Sequence, residues 1–113
     1  MNSDRPERRS TARISVEESA RILGPGVGEW EGTLVDISQG GACIVSYCQL
    51  QVGEQCVVAF DVPAGGMTCR VNVWCVVAHT TDNAGQSFRI GVMFTDMDSY
   101  SRMLIQGLPN LDL

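Results

Sequence analysis

MTCRVNVWCVVAH, residues 67–79, decides the fold. Cys69, Val71, Val73, Cys75 and Val77 fall in one phase, and Thr68, Arg70, Asn72 and Trp74 in the other. A period of two is that of a strand with one face buried. The stretch is bracketed by turn chemistry, Pro63-Ala64-Gly65-Gly66 before it and Asp82-Asn83-Ala84-Gly85 after it. Upstream, Cys56, Val58, Phe60 and Val62 keep the same alternation; downstream, Phe88, Ile90, Val92 and Phe94 do so. Further upstream, Val52-Gly53 is a turn, and Ala42 to Tyr47 and Trp30 to Ile37 read as strands. In the latter, Val35 and Ile37 are expected to point inward, with Asp36 and then Ser38 facing the other way. Residues 12–23 read as a first strand bulged at Glu17-Glu18, and Gly24-Pro25-Gly26-Val27-Gly28 is a loop by composition.

Past Phe94 the spacing lengthens to that of a helix. Met97, Tyr100, Met103, Leu104 and Leu108 are placed for one helical face. Asp96, Asp98 and Ser99 are capping candidates, and Gly107 and Pro109 stop the helix, which is expected near residues 97–107. Six short strands with no intervening helix indicate an antiparallel barrel or sandwich, and a barrel leaves no exposed edge. The fold class expected is all-β: a six-stranded antiparallel β-barrel with a C-terminal α-helix and a flexible N-terminal arm. The arm is residues 1–11, and residues 12–113 form a single domain.

The chain has 113 residues, enough to bury a core of its own. The longest apolar runs fall far short of a membrane span, and the polar N-terminus lacks a signal peptide's apolar core. A cytoplasmic protein without direct membrane insertion is expected. Cys43, Cys48, Cys56, Cys69 and Cys75 are odd in number with no Cys-x-x-Cys, and His79 is the only histidine. That pattern speaks against a zinc site and for buried free thiols acting as small apolar residues, so no metal is expected.

The formal net charge is −5, and every basic residue is arginine. Residues 1–13 hold Arg5, Arg8, Arg9 and Arg13 against Asp4 and Glu7; the other hundred residues hold four arginines against eleven acids. An acidic body disfavours a long polyanion, so no nucleic-acid partner is expected. A short arginine cluster can still grip a small anion through forked hydrogen bonds.

Asp36-Ile37-Ser38-Gln39-Gly40-Gly41 then stands out between two strands. Turn chemistry alone selects Asp, Ser and Gly. Yet Asp36 and Ser38 share a face if the strand continues, and the glycines allow close approach of another group. A carboxylate accepts from guanine N–H donors, a hydroxyl can donate to a phosphate or purine acceptor, and arginine forks onto phosphate or onto guanine O6 and N7. Trp74, an aromatic on the polar phase, either stacks on a base or seats the terminal helix or the arm. Together these residues describe a site for a guanine nucleotide carrying phosphates.

Arg9-x-x-x-Arg13 followed by Asp36-x-Ser38-x-x-Gly41 resembles the paired motif of PilZ domains, and the six-strand layout, Val73-Trp74, Gly91-Val92-Met93-Phe94 and the terminal helix are similar to that family across essentially the whole chain. The resemblance implies a non-enzymatic receptor for the bacterial second messenger cyclic di-GMP, with no cofactor. It implies that Arg9 and Arg13 hold phosphates and guanine edges, that Asp36 and Ser38 read a guanine, and that Gly41 permits its approach. Trp74 matches a position where some members set an aromatic against the ligand, and Arg8 gives the longer form associated with an intercalated ligand pair. The expected output is a change of arm conformation that signals to an unidentified downstream protein in motility, exopolysaccharide or biofilm control, from a monomer or weak homodimer. The alternative is a ligand-independent adaptor of a pilus or motility assembly, although such members usually lack the arginine motif. Catalysis has little support, because Asp36 and Ser38 have no base in sequence reach and His79 falls in the apolar phase of its strand, where a buried histidine is expected. A small barrel binding single-stranded RNA is disfavoured by the acidic body and by the scarcity of exposed aromatics beyond Trp30 and Trp74.

Overall fold

A computed structural model describes residues 14–83 and 85–107. The arm, with Arg8, Arg9 and Arg13, the start of the first strand at Ala12, and Leu108 and Pro109 lie outside the described residues. Six strands follow one another: β1 (Ile14–Gly24), β2 (Gly28–Ile37), β3 (Gly41–Ser46), β4 (Gln55–Ala64), β5 (Met67–Asn83) and β6 (Ser87–Met97). A single helix, α1 (Ser99–Gln106), ends the described chain. The strands close into an antiparallel barrel in the order β1-β2-β3-β6-β5-β4, so β6 lies between β3 and β5 and β1 closes on β4. The expected class, an antiparallel six-stranded barrel with a C-terminal helix, is the one observed.

The alternation read from the sequence fills the barrel. Val58, Phe60 and Val62 of β4, Val71, Val73, Cys75 and Val77 of β5, and Ile90 of β6 are buried in one core. Phe60 and Phe94 stack with ring centroids 6.5 Å apart. Glycines make the tightest turn between strands. Gly65 and Gly66, at φ of 61° and 84°, join β4 to β5 in a backbone conformation that other residues adopt only with strain. Cys43, Cys48, Cys56 and Cys75 are buried free thiols and Cys69 is half-buried. Cys56 and Cys75 are direct cross-strand partners, and the hydrogen bond between them, together with burial, pushes the Cys75 thiol far above its usual range.

Three expectations are corrected, each by a local irregularity. In β2 the residues that enter the core are Leu34 and Ile37, not Val35 and Ile37. The pairing with β3 shifts between Leu34 and Asp36, and the extra residue, Val35, breaks the period of two. In β5, His79 is exposed instead of buried, because the pairing with β6 shifts between Val77 and His79. The strand also runs on to Asn83. The bulge expected at Glu17-Glu18 is present, between Ser15 and Glu18.

The third correction concerns the helix. Asp98 caps it, accepting from the Ser101 backbone N–H at 2.7 Å, and that bond holds the Asp98 carboxyl below its usual range. With the first turn fixed there, Ser101 and Ile105 form the inward i, i+4 pair. Tyr100 and Met103, expected on the apolar face, are 54% and 60% exposed. The Tyr100 hydroxyl lies 3.4 Å from the Sγ of half-buried Cys69.

Gly41 illustrates how tightly β3 meets β6. It pairs with Met93, and a Cβ built on it would collide with the carbonyl oxygen of Val92, a backbone atom that cannot turn aside. A Cβ on Gly40 would meet nothing within 4 Å.

Two stability experiments follow from this packing. Ile105→Ala should cost about 2–5 kcal/mol in urea unfolding, and Met103→Ala less than about 0.5 kcal/mol; equal effects would mean that the helix presents a different face. Gly41→Ala should cost about 1–3 kcal/mol or more, with Gly40→Ala close to neutral. A neutral Gly41→Ala would show that β3 and β6 are not in this register.

Candidate ligand-binding cavity

The turn from β2 to β3 is held by its own backbone. Ser38 N–H donates to the Gly41 carbonyl at 2.8 Å, and its hydroxyl donates to the same oxygen at 3.3 Å. Phe94 N–H of β6 donates to the Gly40 carbonyl at 2.9 Å, which fixes the turn against the neighbouring strand. The Gln39 side-chain amide donates to the Gln106 carbonyl at 3.3 Å, so the turn also grips the end of α1. Ser38 is only 7% exposed. A hydroxyl that spends its proton on a carbonyl keeps lone pairs to accept with.

Beside this turn is a cavity of about 570 Å³ on the outer wall of the barrel. Asp36, Ser38, Gly40 and Gly41 line one side, and His79, Arg89, Gly91 and Met93 line the other. Its volume is in the range that holds a small organic ligand. Asp36 is half-buried, so its carboxylate faces a partly desolvated space in which a charge-assisted bond from an N–H donor is strengthened.

The cavity brings together three of the sequence candidates, Asp36, Ser38 and Gly41. The bulge at Val35 makes this possible, since it lets Ile37 enter the core while Asp36 stays at the surface. Gly41 has a reason of its own to be glycine, the Val92 carbonyl behind it. Gly40 is the glycine that leaves open space. Arg8, Arg9 and Arg13 lie outside the described residues. The chain that carries them joins the barrel beside the cavity, because Ile14 pairs with Ile37 and Ser15 with Asp36.

Trp74 is elsewhere. It is 58% exposed on the outer face of β5, so the terminal helix does not cover it. It lines a second, apolar cavity of about 290 Å³ with Leu23, Pro25 and Val57. Cross-strand pairing sets Leu23, Val57 and Trp74 side by side on β1, β4 and β5. Met93 stands between this patch and the Asp36 cavity, paired with Val76, the next outward residue of β5 after Trp74.

Sequence reading missed His79, Arg89 and Met93 as lining residues. A bulge among apolar residues, unlike the one marked by Glu17-Glu18, is invisible to periodicity, and His79 could be placed only by counting through one. Among the described residues, no group of three His, Cys, Asp or Glu is arranged to hold a metal ion, and no helix is long and apolar enough to cross a membrane.

Comparison with known structures finds the same fold. The inhibitor of motility MotI/DgrA of Bacillus subtilis superposes with a TM-score of 0.77 at 17% identity, over 93% of this chain and 51% of that one. The PilZ domain of YcgR from Escherichia coli, determined with c-di-GMP, gives 0.60 at 14% identity over 89% and 88%. The K. pneumonia MrkH–c-di-GMP complex gives 0.63 at 15% identity over 91% and 51%. The chain thus spans about half the length of the Bacillus protein and of MrkH. No curated protein matches. A family model described as the PilZ domain matches residues 7–108, and the chain belongs to that family.

Proposed function

We propose that this chain is a cyclic di-GMP receptor domain without catalytic activity. The observation that carries the reading is the convergence of Asp36 and Ser38 on one cavity at the point where β1 enters the barrel. Membership of the PilZ family supports it, as does a fold shared with YcgR and MrkH, both determined with the nucleotide. In this reading the Asp36 carboxylate accepts from the N–H donors of a guanine. Ser38 lies beside it, and its hydroxyl, with the proton given to the Gly41 carbonyl, accepts from an N–H of the base. Arg9 and Arg13 fork onto the phosphates and the guanine O6 and N7 edge. Arg8 adds a third guanidinium, suited to a stacked ligand pair. Trp74 contacts the ligand only if a second molecule reaches past Met93.

The wall of the cavity is hydrogen-bonded strand and cannot move far. The N-terminal segment is where ligand binding is expressed, through a higher affinity for one of its arrangements, and a protein partner in motility, exopolysaccharide or biofilm control reads the result. Such a receptor works in the cytoplasm as a monomer or weak homodimer.

Calorimetric titration with cyclic di-GMP tests this directly. Binding at micromolar ligand is expected, and Asp36→Ala, Arg9→Ala and Arg13→Ala should each weaken it by about 1–3 kcal/mol. Folded protein that gives no heat at high micromolar ligand would overturn the reading.

A further inference from the structure

Cross-strand pairing makes a single row of four residues over the cavity floor. Asp36 of β2 pairs with Cys43 of β3, Cys43 with Gly91 of β6, and Gly91 with His79 of β5. The inner two, Cys43 and Gly91, are buried and small. The outer two carry a carboxylate and an imidazole. With strands spaced about 4.8 Å apart, the backbones of Asp36 and His79 stand about 14 Å apart across the wall.

The imidazole does not stand upright at its own strand. A Cβ built on Gly91 would collide with Nε2, Cε1 and Cδ2 of His79, so the ring lies over the Gly91 backbone. Glycine is what lets the ring occupy that seat. His79 is exposed, lines the cavity, and makes no hydrogen bond or ion pair among the described residues. Arg89 is two residues from Gly91 on β6 and lines the same cavity. Arg21, Arg70 and Arg102 each lie within 4.0 Å of a carboxylate, at 2.6, 2.8 and 4.0 Å from Glu29, Asp61 and Asp96. Arg89 is the described arginine with no such partner, on a body that is acidic overall.

We infer that His79 and Arg89 form a second recognition wall facing Asp36, which takes the far half of a ligand that has two purines joined through phosphates. This rests on the function proposed above and extends it to residues outside the arginine and Asp-x-Ser motifs. An imidazole ring held flat is a stacking surface for a purine. A guanidinium free of carboxylates, next to it, forks onto a phosphate or onto guanine O6 and N7. A purine whose edge hydrogen-bonds to Asp36 does not also offer its face to a ring seated over Gly91, two strand spacings or about 10 Å away. A cyclic dinucleotide does both, so the second wall rewards the dinucleotide over its monomer.

The test compares cyclic di-GMP with guanosine monophosphate by calorimetry on the wild type, His79→Ala, Arg89→Ala and His79→Phe. His79→Ala and Arg89→Ala should weaken cyclic di-GMP by about five- to a hundredfold, the loss expected of one stacked or forked base contact. Monophosphate binding should stay within twofold, and His79→Phe, which keeps a flat ring, should recover most of the loss. A second readout needs no variant. His79 is the only histidine, so the imidazole signals of the wild type in NMR report this residue alone, and they should shift when cyclic di-GMP is added. If the wild type binds, both alanine variants bind within twofold and the imidazole signals stay in place, the second wall is wrong and the receptor reading survives. If the wild type does not bind, both fall.

Discussion

The contact on which the rest depends is the meeting of β3 and β6 at Gly41 and Val92. β3 and β6 are separated by forty residues of chain, 47–86, and their pairing inserts β6 between β3 and β5. That insertion closes the barrel, removing sheet edges that would otherwise invite aggregation. It also decides what lies opposite what. Asp36 comes to face Gly91 and His79 only because β6, not β4, follows β3 around the wall. A side chain at residue 41 would push the Val92 carbonyl away and slip this register. In a sheet with a period of two, a slip of one residue exchanges the buried and exposed faces of the strand.

The sequence disclosed most of the barrel and about half of the site, for a definite physical reason. Where strands pair without interruption, as in β4 and the first half of β5, burial imposes strict alternation and the residues show it. Where a strand bulges among apolar residues, one residue is added and the phase inverts, with no composition to mark the place. Val35 and the residue between Val77 and His79 are ordinary apolar residues, and each hides such an inversion. The first lets Asp36 stay at the surface while Ile37 enters the core. The second turns His79 outward. Bulges cluster beside binding sites because they re-aim side chains, so the residues hardest to place from the sequence are those around the cavity. The inward face of the helix differs from the expected one for a related reason. Eight residues are barely two turns, and the Asp98 cap, rather than the apolar residues, sets which face points inward.

Charge tells a second part of the account. The described residues carry four arginines, and three of them, Arg21 and Arg70 on strands and Arg102 on α1, are paired with carboxylates at the surface. These exposed pairs contribute little to stability. Their effect is to neutralise guanidinium groups that would otherwise attract anions at unselected places. Arg89 escapes this, and it does so at the cavity. Among the described residues it is the arginine that lines the cavity, on a protein that is acidic overall. Under the proposed receptor reading it draws a small anion there, while a long polyanion meets net repulsion over the rest of the surface.

The construction of the cavity also limits how it can signal. Its floor spans β2, β3, β6 and β5, four neighbouring strands of a closed ladder. Moving one of them by a residue would break hydrogen bonds on both sides, so the floor has one arrangement. A ligand shifts an equilibrium only by binding two states unequally, and a part with one state cannot take part. Two features at the rim can. The first is the start of β1 at Ile14, next to the bulge between Ser15 and Glu18. The second is the bond from Gln39 to Gln106, a single exposed contact at 3.3 Å that ties the Asp36–Gly41 turn to the end of the helix. Under the proposed receptor reading, information leaves the site through one or both of these, and a partner docks where the N-terminal segment or the helix end is presented rather than on the barrel wall.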